Sequence, residues 1–194
     1  MFHYYLFHKP FGCVTARRDD RYPTVMDYFL ELHNENLSPV GRLDRETEGL
    51  LVVTDDGQWN RRMTRPEFRV AKTYAFTVLG DLTEEKRLLL EAGVVLNGET
   101  EPTAPARLTV TGRSTLAQTL PQLHPQIQEK TRHNPPDRVV TFGTITITEG
   151  KNRQIRRMMK AVRLLVLQLK RISMGDLTLP PDLEPGQWTE LTIP

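Results

Sequence analysis

Cysteine is nearly missing from this chain: one residue of 194, Cys13, carries a thiol. A lone thiol excludes an intrachain disulfide framework and a zinc site of the clustered type, and its plainest role is that of a small buried hydrophobe. Also lacking is any run close to the roughly 18 consecutive apolar residues that a membrane span requires. The opening MFHYYLFHKP has no basic start followed by a small-residue cleavage site, so a cytoplasmic location without a membrane partner is expected. Solenoid-type repeats and low-complexity tracts are absent as well.

What remains is a globular composition, 38% hydrophobic and 26% charged, long enough for one large domain or two intimately packed lobes. The net charge of +2 conceals an uneven distribution. Arg17, Arg18 and Arg21 lie close together, as do Arg61, Arg62, Arg65, Arg69 and Lys72, and a third basic group runs from Lys151 through Arg163. Acids concentrate at Asp81, Glu84, Glu85, Glu91, Glu99 and Glu101. If the basic groups converge they form a phosphate-binding face; otherwise they are solvated surfaces.

Along the chain, HYYLFHKP suits a short strand that turns at Pro10 and Gly12. Leu50 to Val53 read as a buried strand closed by Asp55-Asp56-Gly57, and a short helix from Gln58 to Thr64 must stop near Pro66. KTYAFTVLG alternates, with Tyr74, Phe76 and Val78 on one face, and so predicts a strand. A helix follows between an Asp81 or Thr83 cap and Gly93. Further strands are expected around Arg107 to Thr111, Val139 to Thr148 and Trp188 to Ile193. Residues 113–138 are polar, proline-bearing and aperiodic, which predicts a long loop insertion. Strands interspersed with a few helices imply an α+β class rather than regular βαβ alternation.

After Gly150 comes an amphipathic helix. Ile155, Met158, Met159 and Val162 share one face; Arg153, Arg156, Arg157 and Lys160 share the opposite one. That basic face meets RNA, acidic groups of the same protein, or water, and the sequence does not choose among them.

GRLDRETEGLLVVTDDG places a carboxylate, Asp44, in a polar loop ahead of a buried strand. This run resembles the central motif of the pseudouridine synthases, in the branch that acts on small- and large-subunit ribosomal RNA. Three other stretches are similar to that family's motifs in the same order: HKPFG at 8–12, KTY at 72–74 and EGKNRQIRRMM at 149–159. LKRISMGDLTL followed by LEPGQWTEL also fits the branch. A chance match of all four motifs, ordered and spaced, is far less probable than any one alone. His8 departs from the usual asparagine, and AVRLLV replaces a more typical Val-Gly-x-Pro stretch. Because the motifs begin within ten residues of Met1, the resemblance implies a catalytic domain spanning 1–194 without the S4-type RNA-binding domain common in relatives. Together with Asn134-Pro135-Pro136, this looks most like the large-subunit synthase E branch.

The resemblance implies a mixed, mainly antiparallel sheet in two lobes around a catalytic cleft. It also implies a monomer that isomerises a uridine of large-subunit ribosomal RNA. Asp44 becomes the catalytic carboxylate, acting as nucleophile or base, where a lone aspartate would otherwise read as a turn or capping residue. Arg156 becomes the cation that keeps it ionised, and Tyr74 the aromatic face for a flipped uracil, where it would otherwise read as a core aromatic. Arg42 is placed near the flipped nucleotide, Lys9 and Lys72 support the cleft or the RNA backbone, and Arg153 and Arg157 contact phosphate. Isomerisation has no net redox change, so neither cofactor nor metal is implied. The competing readings are an rRNA-binding or assembly factor that has lost the chemistry, and a hydrolase using Asp44 and Glu48.

Overall fold

A computed structural model describes residues 1–193. The chain divides into two compact units: unit 1 is Met1–Lys72 with the chain from Lys170 onward, and unit 2 is Thr73–Leu169.

Unit 1 is built around β1 (Tyr4–Lys9) and β3 (Thr47–Thr54), antiparallel from Tyr4↔Thr54 to Lys9↔Gly49. Its sheet runs from the C-terminal part of β7 (Leu165–Met174) through β3 and β1 to β9 (Trp188–Glu190), with β2 (Ser38–Pro39) on β3 and β8 (Leu177–Thr178) on β7. Alternation assigns the two faces. Leu6, Leu50 and Val52 pack with Val40, Trp59 and Met174 on one side. On the other, Tyr5 and Phe7 meet Phe29, and Phe29 stacks on Trp188 at 5.6 Å between ring centroids. Phe29 belongs to a 3-10 helix over Val25–Leu32, absent from the expected elements and closed at its start by a reciprocal Thr24–Asp27 capping box. Helix α1 (Gly57–Thr64) is the helix expected there. Asp56 caps it by accepting from Gln58 N and Trp59 N at 3.0 Å each, and it ends before Pro66.

Gly49 is required in β3. Its φ of +104° suits glycine, and a Cβ there would lie 2.2 Å from the Arg171 carbonyl oxygen.

Unit 2 contains β4 (Lys72–Leu79) beyond its first residue, α2 (Glu84–Ala92), β5 (Arg107–Thr115), α3 (Leu116–Thr119), α4 (Pro125–Thr131), β6 (Val139–Ile147), α5 (Gln154–Ala161) and β7 through Leu169, with strand order β5-β6-β4-β7. β5 and β6 pair antiparallel from Arg107↔Thr146 to Thr115↔Val139, with a bulge between Val110 and Gly112. The α+β class is the expected one, but the long loop is not: residues 113–138 hold the end of β5, α3, a 3-10 turn over Leu120–Gln122 and α4. Leu116, Leu123 and Ile127 are buried, and the Thr115 hydroxyl accepts from Gln118 N at 3.3 Å. Pro121 and Pro125 sit in first-turn positions, where a missing N–H costs nothing. They divide the helical period into pieces too short to read.

In unit 1, the loop leading into β3 rests on Lys9. That side chain is fully buried, and its ammonium donates to the carbonyls of Thr47 at 2.8 Å, Pro10 at 3.0 Å and Arg45 at 3.4 Å. Burial lowers its pKa to about 8, against the opposing pull of Cys13, Glu48 and Asp44. The unfolded chain, with an ordinary value of about 10.4, therefore binds more protons than the folded one across that interval, so this group makes stability rise with pH there. Unfolding free energies of wild type and Lys9→Met, measured from pH 7.5 to 10.5, should show a rise from about pH 8 to about pH 10.4 that the variant lacks. Parallel pH profiles would contradict this.

Candidate active site

The segment Gly41-Arg42-Leu43-Asp44 enters with Gly41 at φ +74° and is held from several directions within unit 1. Val40 N donates to Val52 O at 2.7 Å, fixing the start to β3. Leu43 is clasped by one side chain: its N–H donates to Thr15 Oγ1 at 3.1 Å, and the same hydroxyl donates to Leu43 O at 2.9 Å. Thr47 N donates to Asp44 O at 3.0 Å, and Gly12 N to Arg45 O at 2.8 Å, beside the Lys9 contacts. The backbone on both sides of Asp44 is thus fixed, while the residue itself is half-buried. A pinned loop holding a partly exposed carboxylate is the arrangement needed for a nucleophile or general base. Arg42 is exposed beside it, and Glu48 is half-buried at the start of β3.

Lys9 therefore does not reach RNA. It is a strut beneath the Asp44 loop, because burial among carbonyls leaves its ammonium no exposed surface. Lys72 is half-buried, donating to Val70 O at 3.2 Å; burial lowers its pKa, and the Arg171 cation adds to the effect.

Unit 2 carries the other anticipated residues. Tyr74 is buried in β4, 8% exposed, beside a Thr73 hydroxyl bonded to Thr146 Oγ1 at 2.8 Å. On α5, Ile155, Met158 and Met159 are buried, as the spacing predicts, and Arg156 is half-buried. Arg153 is exposed at the helix start, with φ 47°. Arg157 corrects the phosphate assignment. It pairs with Glu99 at 2.8 Å and donates to Asn97 O at 2.8 Å and Asn152 O at 3.3 Å, and Lys151 binds the same Glu99. Hydrogen bonding from Lys151 and Arg157 holds the Glu99 carboxyl below its usual range. Part of the basic face thus meets an acid of its own chain and fastens the helix start to the 97–99 loop.

Sequence reasoning missed Thr15 and Glu99. Thr15 acts 28 positions away from Leu43, a contact without local signature, whereas the acid cluster around Glu99 was visible but unassigned. No group of three or more His, Cys, Asp or Glu side chains among the described residues could hold a metal ion. No helix among them is long and apolar enough to cross a membrane.

A family model described as RNA pseudouridylate synthase matches residues 3–161. The ribosomal small subunit pseudouridine synthase A of Haemophilus influenzae is 33% identical over 189 residues, covering 97% of this chain and 70% of that protein. Its Pseudomonas aeruginosa counterpart is 36% identical over 188 residues, with 97% and 70% covered. A pseudouridylate synthase of known crystal structure, 33% identical, superposes with a TM-score of 0.79 over 99% of this chain and 71% of its own. Matching motifs, matching fold and identity across nearly the whole length agree: this chain belongs to the RNA pseudouridine synthase family, isomerases that act on uridine.

Proposed function

We propose that this chain converts a uridine of folded ribosomal RNA to pseudouridine, with Asp44 as the reacting carboxylate. The observation that carries the assignment is the loop 41–47. Its backbone is tied to Thr15, Gly12 and Lys9 so that the partly exposed Asp44 carboxylate is presented in a fixed place, at the position of the family's central motif.

The reaction breaks the bond between ribose C1′ and uracil N1 and forms one between C1′ and C5. C5 then gives up its proton and N1 ends protonated, so atoms and electrons balance without an external redox partner. A carboxylate serves either by attacking C1′ or by removing a ribose proton. The target must leave its stack, at a cost of roughly a few kcal/mol. Tyr74 and Arg156 take the roles the family motifs imply, an aromatic face for the extracted base and a cation serving the carboxylate. Arg42 and Arg153, both exposed, are the anticipated RNA contacts that remain on the surface.

For the subunit, the resemblance of the segment ending in Asn134-Pro135-Pro136 to the synthase E type supports a large-subunit target. A second reading rests on the names of the relatives, which are small-subunit synthases. Neither choice alters the chemistry asked of Asp44.

Asp44→Asn keeps the size and much of the hydrogen bonding of the side chain, so it should retain the wild-type unfolding midpoint and RNA affinity while forming no detectable pseudouridine. Turnover by this variant would remove Asp44 from the chemistry. Mapping pseudouridine across both ribosomal RNAs in cells with and without the protein should reveal one dependent uridine, in a structured large-subunit region, that a purified folded fragment reproduces and a scrambled unpaired one does not. A dependent site confined to small-subunit RNA would overturn the subunit assignment. A product found only in transfer RNA would overturn the ribosomal reading.

A further inference from the structure

Next to Asp44 in sequence, Arg45 is engaged in a contact that the reaction itself does not require. Its backbone carbonyl is fixed by Gly12 N and Lys9 Nζ, and its side chain turns toward two aromatic rings. The guanidinium carbon lies over the Tyr22 ring at 4.8 Å from the centroid and over the Phe11 ring at 5.7 Å. Both are within cation–π range.

Tyr22 stands on an excursion of the chain between Val14 and Thr24. Those residues form a bridge, with Val14 N donating to Pro23 O and Val25 N to Val14 O, each at 2.9 Å. Within the excursion, Asp19 accepts from Arg21 N at 2.8 Å and Tyr22 N at 2.9 Å, which fixes the turn immediately before the ring. Arg17 is tied back to the carbonyls of Glu35 and Leu37 at 3.0 Å each. The result is an ordered loop whose ring is backed by a guanidinium anchored one residue from Asp44. Even so, Tyr22 is 42% exposed, and Arg18 and Arg21 beside it are exposed too.

An aromatic serving only to brace a loop would bury more of its surface. Here Arg45 lies over one face of a ring whose residue stays exposed. Among the exposed charges of the loop, Arg18 and Arg21 have the sign that phosphate requires; of the two acids between them, Asp19 is turned onto the N–H groups of Arg21 and Tyr22, and Asp20 is exposed. Extracting a uridine from a folded RNA leaves its neighbours without a stacking partner, and an aromatic face beside the catalytic loop supplies one.

We propose that Tyr22, backed by Arg45 and Phe11, is a stacking subsite for an unpaired nucleobase of the RNA substrate flanking the isomerised uridine. Arg18 and Arg21 meet the phosphates on either side of that base. Stacking tolerates any base, so the subsite contributes affinity and register rather than a sequence code. The subsite rests on the isomerase reading for its position relative to the target, but its binding is measured independently of turnover.

The test compares wild type, Tyr22→Ala and Tyr22→Phe on three probes. These are the folded ribosomal RNA fragment carrying the mapped uridine, an oligoadenylate of about ten residues, and an abasic phosphodiester of equal length and charge. Tyr22→Ala should raise Kd for the fragment and the oligoadenylate by about 10- to 100-fold, the range expected for loss of one stacked base, and leave the abasic strand unaffected. Tyr22→Phe should stay close to wild type, and neither variant should shift the unfolding midpoint. If all three proteins bind every probe alike, or if Tyr22→Ala melts early and weakens the abasic strand equally, Tyr22 is a loop brace and the proposal is wrong. Wild type that forms no pseudouridine yet binds oligoadenylate in a Tyr22-dependent way would defeat the isomerase reading and leave the subsite standing. Normal isomerisation with Tyr22-independent binding would do the reverse.

Discussion

A lysine ammonium without exposed surface sits at the end of β1, and the geometry around Asp44 depends on it. Taking a charge of this size out of water costs several kcal/mol even after relaxation. Hydrogen bonds to a charged group return roughly 1.5–3 kcal/mol each. Three carbonyl acceptors, with the attraction of Asp44 and Glu48, are of the size needed to hold Lys9 where it is. The acceptors are Pro10, after β1, and Arg45 and Thr47, on either side of the turn that follows Asp44. Moving any of them away would leave a buried donor unsatisfied, so the penalty for deforming the loop falls on Lys9. Thr15 adds a second restraint, clasping both backbone groups of Leu43. A catalytic carboxylate benefits from this rigidity, because small displacements of a reacting group cost large factors in rate.

Local chemistry made much of this legible in the sequence. The strand at Leu50 to Val53 has a continuous apolar run, α1 has Asp56 before it and Pro66 after it, and α5 has a full apolar stripe, so each was visible within its own residues. The stretch 113–138 was misread because Pro121 and Pro125 signal chain breaks, yet in first-turn positions they admit helices. The 3-10 helix over Val25–Leu32 and the strand β7 went unanticipated, since their partners, Trp188 and β3, lie far away in the chain. For the site, Asp44 was legible through its motif. The burial of Lys9 was not, because desolvation is a property of the folded neighbourhood. Arg157 was read as a phosphate contact for the same reason: nothing in its own helix reveals that Glu99 faces it.

Charge shows the same division between what composition reports and what folding decides. Several cations that look available in the sequence are structural: Lys9 under the loop, Arg17 on two carbonyls, Arg157 on Glu99 and Arg87 between Glu84 and Glu91. The exposed arginines include Arg18, Arg21, Arg42 and Arg153, together with Arg61, Arg62, Arg65 and Arg69 on and after α1. A net charge of +2 therefore understates the capacity for phosphate, because many acids are occupied by internal cations and the exposed arginines occur in groups.

Whether the Lys9 ammonium fixes the Asp44 loop can be read from residue-resolved amide hydrogen exchange on wild type and Lys9→Met at neutral pH. Thr47 N, bonded to Asp44 O, and Gly12 N, bonded to Arg45 O, report the loop, while Val40 N, bonded to Val52 O, reports the neighbouring sheet. Protection at Thr47 and Gly12 should fall in the variant by roughly tenfold or more, as for a loss of about 1.4 kcal/mol, with Val40 retained. Unchanged protection at Thr47 and Gly12, or a uniform loss that includes Val40, would contradict it.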